Sequence, residues 1–242
     1  MAEVVLPGAR GDLPVFVAEP SPLGDSHAGV LVVSDALGMT SDLRSHAEWL
    51  ASLGYVAAAP DLFASGCHLR CLFSTMRQAL ARDGPVFDDL ETTRGWLLDH
   101  PAASGRVGVI GFCLGGGMAV MLAGSGRYDV SSVNYGDVPK DALDLLADAC
   151  PVVGSFGGRD VTLRKAPDRL ATVLAEVGVE HDIHVYPDAG HSFLNDHAPA
   201  EVPRWAVVMG ALSRSKYHEP SARHARDRIA AFFATHLVSA GD

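Results

Sequence analysis

Residues 107–119 read Val-Gly-Val-Ile-Gly-Phe-Cys-Leu-Gly-Gly-Gly-Met-Ala. Val107 to Ile110 has the β-branched, apolar character of a short buried strand, and Met118 to Ala123 that of a helix body. Between them, Gly111-Phe112-Cys113-Leu114-Gly115 has the form of a nucleophile elbow with sulfur in place of a serine oxygen. A strand that reverses sharply into a helix presses the positions two before and two after the nucleophile together, so both must lack a side chain. The central residue then takes strained backbone angles and projects clear of the sheet. Its thiol sits at a helix N-terminus, where unpaired N–H groups favour the thiolate.

Taken alone, a Cys in an apolar run such as Cys113 is usually a small core residue. The glycines do not form a nucleotide-binding loop: no G-x-G-x-x-G runs through Gly108, Gly111, Gly115, Gly116 and Gly117, and no Lys-Ser/Thr follows. The surrounding chain decides between these readings.

Working outward, apolar runs and turn signals alternate. Residues 4–6 and 13–18 read as an antiparallel edge, and 29–34 as a strand buried on both faces. Thr40 or Ser41 caps a helix that shares Leu43, Ala47, Leu50 and Leu53 on one face and stops at Gly54. Further strands are expected at 55–59, 130–135, 151–156 and 182–186. Further helices are expected at 86–98, 140–147, 201–212 and 221–237, with another carrying Leu170, Val173, Leu174 and Val177. Residues 64–82 look irregular, with a short helix. Alternating strands and helices predict an α/β fold, a mostly parallel central sheet with helices on both faces. One domain over 1–242 is expected, with residues 64–84 covering the pocket.

A net charge of −10 argues against nucleic-acid or anionic-membrane partners. No apolar stretch approaches the ~20 residues of a membrane span, and residues 1–7 lack a signal-peptide core. Cys67, Cys71, Cys113 and Cys150 do not resemble a disulfide framework, so a reducing cytoplasm is expected.

Ligands of an open parallel sheet bind beyond the carboxyl ends of its strands. Three loops at such ends carry Cys113, Asp160 and His191, in the order nucleophile, acid, histidine of the α/β-hydrolases. The histidine takes the thiol proton and returns it to a leaving oxygen, while the aspartate fixes the imidazole tautomer and supports its charge.

The chain resembles the dienelactone hydrolases in Gly-Phe-Cys-Leu-Gly-Gly, in Gly157-Gly158-Arg159-Asp160 and in Ala189-Gly190-His191-Ser192-Phe193. The likeness extends to Ala59-Pro60-Asp61-Leu62-Phe63 and Asn134-Tyr135-Gly136, from about residue 13 to 237. It implies an α/β-hydrolase fold, a Cys113–His191–Asp160 triad, and an oxyanion hole from the N–H groups of Leu114 and Ala36. Two departures stand out. The family carries Glu before the second oxyanion residue, in contact with the resting thiol; here it is Asp35, which either still reaches Cys113 or only orders its loop. Members that cleave dienelactone carry an Arg where this chain has Asn195, and an amide cannot replace a bidentate clamp on a carboxylate. Arg70, Arg77 or Arg82 are the candidates for a substitute cation.

Sulfur leaves as readily as it attacks. Amide adducts would expel it, whereas enol esters, lactones and aryl esters offer competing leaving groups. The expected activity is therefore hydrolysis of a small ester or lactone through an acyl-thioenzyme, without cofactor or metal, in a monomer or small homo-oligomer. The alternative is a hydrolase-fold protein that binds a ligand or senses redox state through its thiol without turnover. Cys67-His68-x-x-Cys71 is half a metal site at most, because no second pair has matching spacing. Tyr135 either lines the pocket or packs; Phe63, Trp205 and Cys150 read as packing residues. His181 and His184 point to opposite faces of a strand, and His197, His218, His224 and His236 share no spacing.

Overall fold

At the middle of the sheet, β3 (His27–Val33) and β5 (Ala103–Phe112) run parallel, with Val30 opposite Gly108 and Val33 opposite Gly111. Val30, Leu31, Val32 and Val33 are fully buried, as a strand covered on both faces requires. The computed structural model describes residues 1–24, 26–66 and 68–237. Its other strands are β1 (Ala2–Gly8), β2 (Gly11–Ala18), β4 (Val56–Pro60), β6 (Val130–Asn134), β7 (Val152–Gly157) and β8 (His181–Tyr186). All eight join one sheet in the order β1-β2-β4-β3-β5-β6-β7-β8, antiparallel in the β1–β2 and β2–β4 pairs and parallel elsewhere.

Helices α1 (Ser41–Ser52) and α8 (Glu219–Leu237) cover one face, where Leu43, Ala47 and Leu50 meet Ile229 and Phe233 across Val30 and Val32. Helices α3 (Pro85–Leu98), α4 (Leu114–Ala123) and α6 (Ala166–Glu176) cover the other, through Leu90, Met118 and Leu170 against Leu31 and Val109. Thr40 caps α1 by accepting the Leu43 N–H at 3.3 Å, and Gly54, at φ 96°, follows its end.

Three segments differ from expectation. The irregular stretch contains a full helix, α2 (His68–Ala81), with Cys71, Leu72, Thr75, Gln78 and Ala79 buried at helical spacing. No Gly or Pro interrupts residues 68–83, and Gly66 and Gly84 bracket them at positive φ. The expected helix at 140–147 is only α5 (Ala142–Leu145). The expected helix at 201–212 divides into a 3₁₀ turn (Pro199–Glu201) and α7 (Arg204–Ser213), because Pro203 lacks an N–H and stands at the junction. Among the described residues, no helix is long and apolar enough to cross a membrane.

Candidate active site

The bend between β5 and α4 is as tight as its glycines require. A Cβ on Gly111 would lie 1.9 Å from the Gly115 carbonyl oxygen, and one on Gly115 would lie 2.3 Å from that of Val33. Cys113 itself takes φ 52° and ψ −110°, outside the regions open to most L-residues, at a cost on the order of 1–3 kcal/mol. Backbone bonds hold it there: its N–H donates to Asn134 O at 3.0 Å, and its carbonyl accepts from Gly117 N at 3.0 Å. Two other cavity-lining residues beyond strand ends, Tyr135 (φ 40°) and Ser192 (φ 53°), share the left-handed backbone.

Beyond β7, Asp160 is buried, and its Oδ1 accepts the Thr162 N–H at 2.9 Å and the Thr162 hydroxyl at 2.6 Å. Its Oδ2 accepts from His191 Nδ1 at 2.6 Å. The loops after β7 and β8 are laced together, Gly158 N–H to Tyr186 O at 2.7 Å and Arg159 N–H to Ala189 O at 2.9 Å. A side chain at Gly157 would meet Gly190 O at 2.2 Å, so the approach that joins Asp160 to His191 depends on that glycine. The bond to Nδ1 leaves Nε2 of His191 unspent, and His191 and Cys113 line the same cleft.

Burial disfavours the charged imidazole of His191. The negative charge of Cys113 and the hydrogen bond with Asp160 outweigh it and raise the His191 pKa to about 10. Burial likewise pushes Asp160 up, but hydrogen bonds from His191 and Thr162 prevail and hold it below the usual carboxylate range.

Cys113 opens onto a cleft of about 490 Å³ whose walls include Ala36, Leu114, Thr162, His191 and Trp205. Leu114 opens α4, so its N–H belongs to the helix turn that lacks internal acceptors. Ala36 follows β3 on the facing loop. His68 Nε2 donates to the Ala36 carbonyl at 2.9 Å and ties α2 to that loop.

The remaining sequence candidates divide. Asp35 does not spend its carboxylate on the sulfur: Oδ1 accepts the Leu37 N–H at 2.8 Å and Oδ2 accepts from His197 Nε2 at 2.8 Å. Of the two roles expected for Asp35, the geometry is that of loop ordering. Tyr135 lines the cleft and sets its ring edge against His191 at 5.2 Å between centroids, but its hydroxyl donates to Asn195 Oδ1. Asn195 is buried beneath the cleft rather than lining it, and its Nδ2 donates to Asp42 Oδ2 at 2.6 Å. Arg70 and Arg77 lie on the exposed side of α2 and border neither cavity at Cys113, which corrects their candidacy as cations there. Arg82 borders a second cavity of about 270 Å³, but its guanidinium is taken by both carboxylate oxygens of Asp141. The possible Cys67–Cys71 metal pair cannot be placed, since Cys67 lies outside the described residues; Cys71 is buried on α2.

Two residues read as incidental border the cleft: His197, set between Asp35 and Asp42, and Trp205 on α7. His46, which the sequence did not single out, is fully buried and stacks on Phe112 at 4.2 Å; burial pushes its pKa down to about 4, so it sits neutral under the elbow. Only the (i, i+4) spacing of Asp42 and His46 could have flagged it.

The parallel sheet, the helices on both faces and the strand–elbow–helix unit define an α/β-hydrolase. The family model for the dienelactone hydrolase family matches residues 13–237, and the chain belongs to that family of hydrolases. A Yersinia pestis relative, provisionally named a carboxymethylenebutenolidase, is 28% identical over 259 residues, covering 98% of this chain and 89% of its own. The carboxymethylenebutenolidase of Pseudomonas putida is 28% identical over 189 residues, 74% of this chain and 80% of its own. A Klebsiella pneumoniae crystal structure, provisionally named a dienelactone hydrolase, superposes with a TM-score of 0.78 at 25% identity, covering 96% of this chain and 97% of its own.

Proposed function

We propose that the protein hydrolyses small carboxylic esters or lactones through Cys113, with His191 and Asp160 completing a triad. The Cys113 sulfur attacks the ester carbonyl and forms a C–S bond. The carbonyl oxygen takes the negative charge toward the N–H groups of Leu114 and Ala36. Two such donors typically contribute about 3 kcal/mol each to the transition state. His191 gives its Nε2 proton to the departing oxygen, so the alcohol leaves neutral. Water then enters, loses a proton to His191 and adds to the thioester; the C–S bond breaks, releasing the acid and restoring the thiolate–imidazolium pair. Asp160 holds the ring in the tautomer both steps need.

The observation that carries this reading is the 2.6 Å bond from His191 to Asp160 beside a cysteine on a strained elbow. The carboxymethylenebutenolidase relatives support a lactone or ester as substrate. With Asn195 turned into a buried network and Arg82 held by Asp141, a substrate other than the namesake dienelactone fits better. A thiolate nucleophile suits a reducing compartment, and we place the protein in the cytoplasm.

Mixing the protein with p-nitrophenyl acetate tests the reading. Steady turnover that Cys113→Ala and His191→Ala each abolish is expected. A thiol that acylates once and never turns over would favour the sensor alternative. Full activity in Cys113→Ala would overturn the nucleophile assignment.

A further inference from the structure

Cys113 and Leu114 border two cavities, not one. The larger holds His191. The smaller runs between α2 and α4, and His191 does not border it. An acyl carbon bonded to the sulfur, with its oxygen on the Leu114 and Ala36 side, has two remaining substituents. The alkoxy oxygen must meet the His191 proton, so the alcohol portion lies in the larger cavity. The acyl chain is left with the smaller one.

The walls of that smaller cavity are apolar: Met76, Ala79 and Leu80 from α2, and Leu114, Gly117 and Met121 from α4. Among the described residues, Arg82 is the one guanidinium that borders the two cavities, and Asp141 already occupies it with two hydrogen bonds. Asp137 stands at the border of both cavities and repels an anion rather than holding one. Resting on the hydrolase reading above, we propose that the α2–α4 cavity is the acyl subsite and that it selects uncharged, apolar acyl groups over carboxylated ones. Attack and release balance as already written; only the placement of the two substrate arms is added.

The test compares kcat/KM for p-nitrophenyl acetate, p-nitrophenyl hexanoate and mono-p-nitrophenyl adipate at one pH. Burying each extra methylene favours the longer ester by up to about fourfold. Hexanoate is expected to exceed acetate by about tenfold or more, and adipate to trail hexanoate by a similar factor. Met121→Trp fills the cavity from α4 and should cut the hexanoate-to-acetate ratio by about tenfold. Leu80→Asp is a second probe: Leu80 is 82% exposed, so the fold tolerates it, and the ratio should fall in the same direction.

Ala206→Trp, in the larger cavity, should instead change the dependence on the alcohol, read with methyl against benzyl hexanoate. A shift of acyl preference in Ala206→Trp but not in Met121→Trp or Leu80→Asp would overturn the assignment. So would an adipate half-ester that outruns hexanoate. Turnover with an acyl ratio unmoved by Met121→Trp and Leu80→Asp sinks the subsite alone. Wild-type inactivity on every ester sinks the hydrolase reading, and the subsite with it.

Discussion

His197 Nε2 donates to Asp35 Oδ2 at 2.8 Å, and the opposite oxygen of Asp35 accepts the Leu37 N–H at 2.8 Å. Asp35 thereby ties a histidine near the end of one loop to the loop that presents the Ala36 N–H. Removing His197 leaves a buried carboxylate with one fewer partner and frees that loop. His197→Ala is expected to lower kcat by about tenfold with little change in KM, as loss of a transition-state contact does. Burial pushes the His197 pKa down, but the hydrogen bond to Asp35 and its charge prevail and raise it. A raised histidine contributes stability that is fully present below its unfolded value of about 6.5 and is lost as pH rises through the folded one. The urea midpoint of the native protein should therefore drop as pH rises above about 6.5, and the drop should be smaller in His197→Ala.

His191, raised to about 10, gives the activity its own pH signature. Alkyl esters need its proton on the leaving oxygen, so their kcat/KM should fall as pH rises through about 10. A p-nitrophenolate leaves without protonation and should show a flatter alkaline limb after subtraction of background hydrolysis. Identical limbs for both ester types would remove His191 from the proton-transfer step.

Asp160→Asn keeps the shape of the side chain and removes its charge. The ring then loses the acceptor that fixes Nδ1–H, and kcat should fall by about a thousandfold. Burst amplitude with p-nitrophenyl acetate, titrated against active thiol, separates lost chemistry from lost protein.

Asn195 links the Tyr135 hydroxyl to Asp42, and all three groups are buried. Asn195→Ala strands a hydroxyl and a carboxylate oxygen and is expected to cost about 2–4 kcal/mol of stability, read as a shift in the urea midpoint at constant slope. Arg70→Ala and Arg77→Ala, on the exposed side of α2, should leave ester turnover within about twofold of the parent, since surface changes of this kind stay near ±0.5 kcal/mol.

Local chemistry made the elbow and the two partner loops readable in the sequence. Gly111 and Gly115 are spaced by the bend itself, and Asp160 and His191 each follow a strand with its own turn signal. What escaped reading depends on distant pairings. Asp35 and His197 are separated by 162 positions, and no periodicity connects them. Asn195 occupies a place that suggested a pocket residue, yet its fate was decided by Asp42 on α1. Trp205 reads as packing in a string of apolar residues, yet it borders the cleft from the first turn of α7. Helix α2 is the exception to that rule: Leu69, Leu72, Phe73, Met76 and Leu80 recur at helical spacing, so its full length was legible locally.

The φ of 52° at Cys113 implies a tension between durability and chemistry. A residue without a side chain would sit in that conformation unstrained, at some cost in unfolded-chain entropy, whereas alanine would inherit the strain. Between two equally dead enzymes, Cys113→Gly should outlast Cys113→Ala on heating. Selection for sturdiness alone would thus erode the very atom that makes the fold worth keeping.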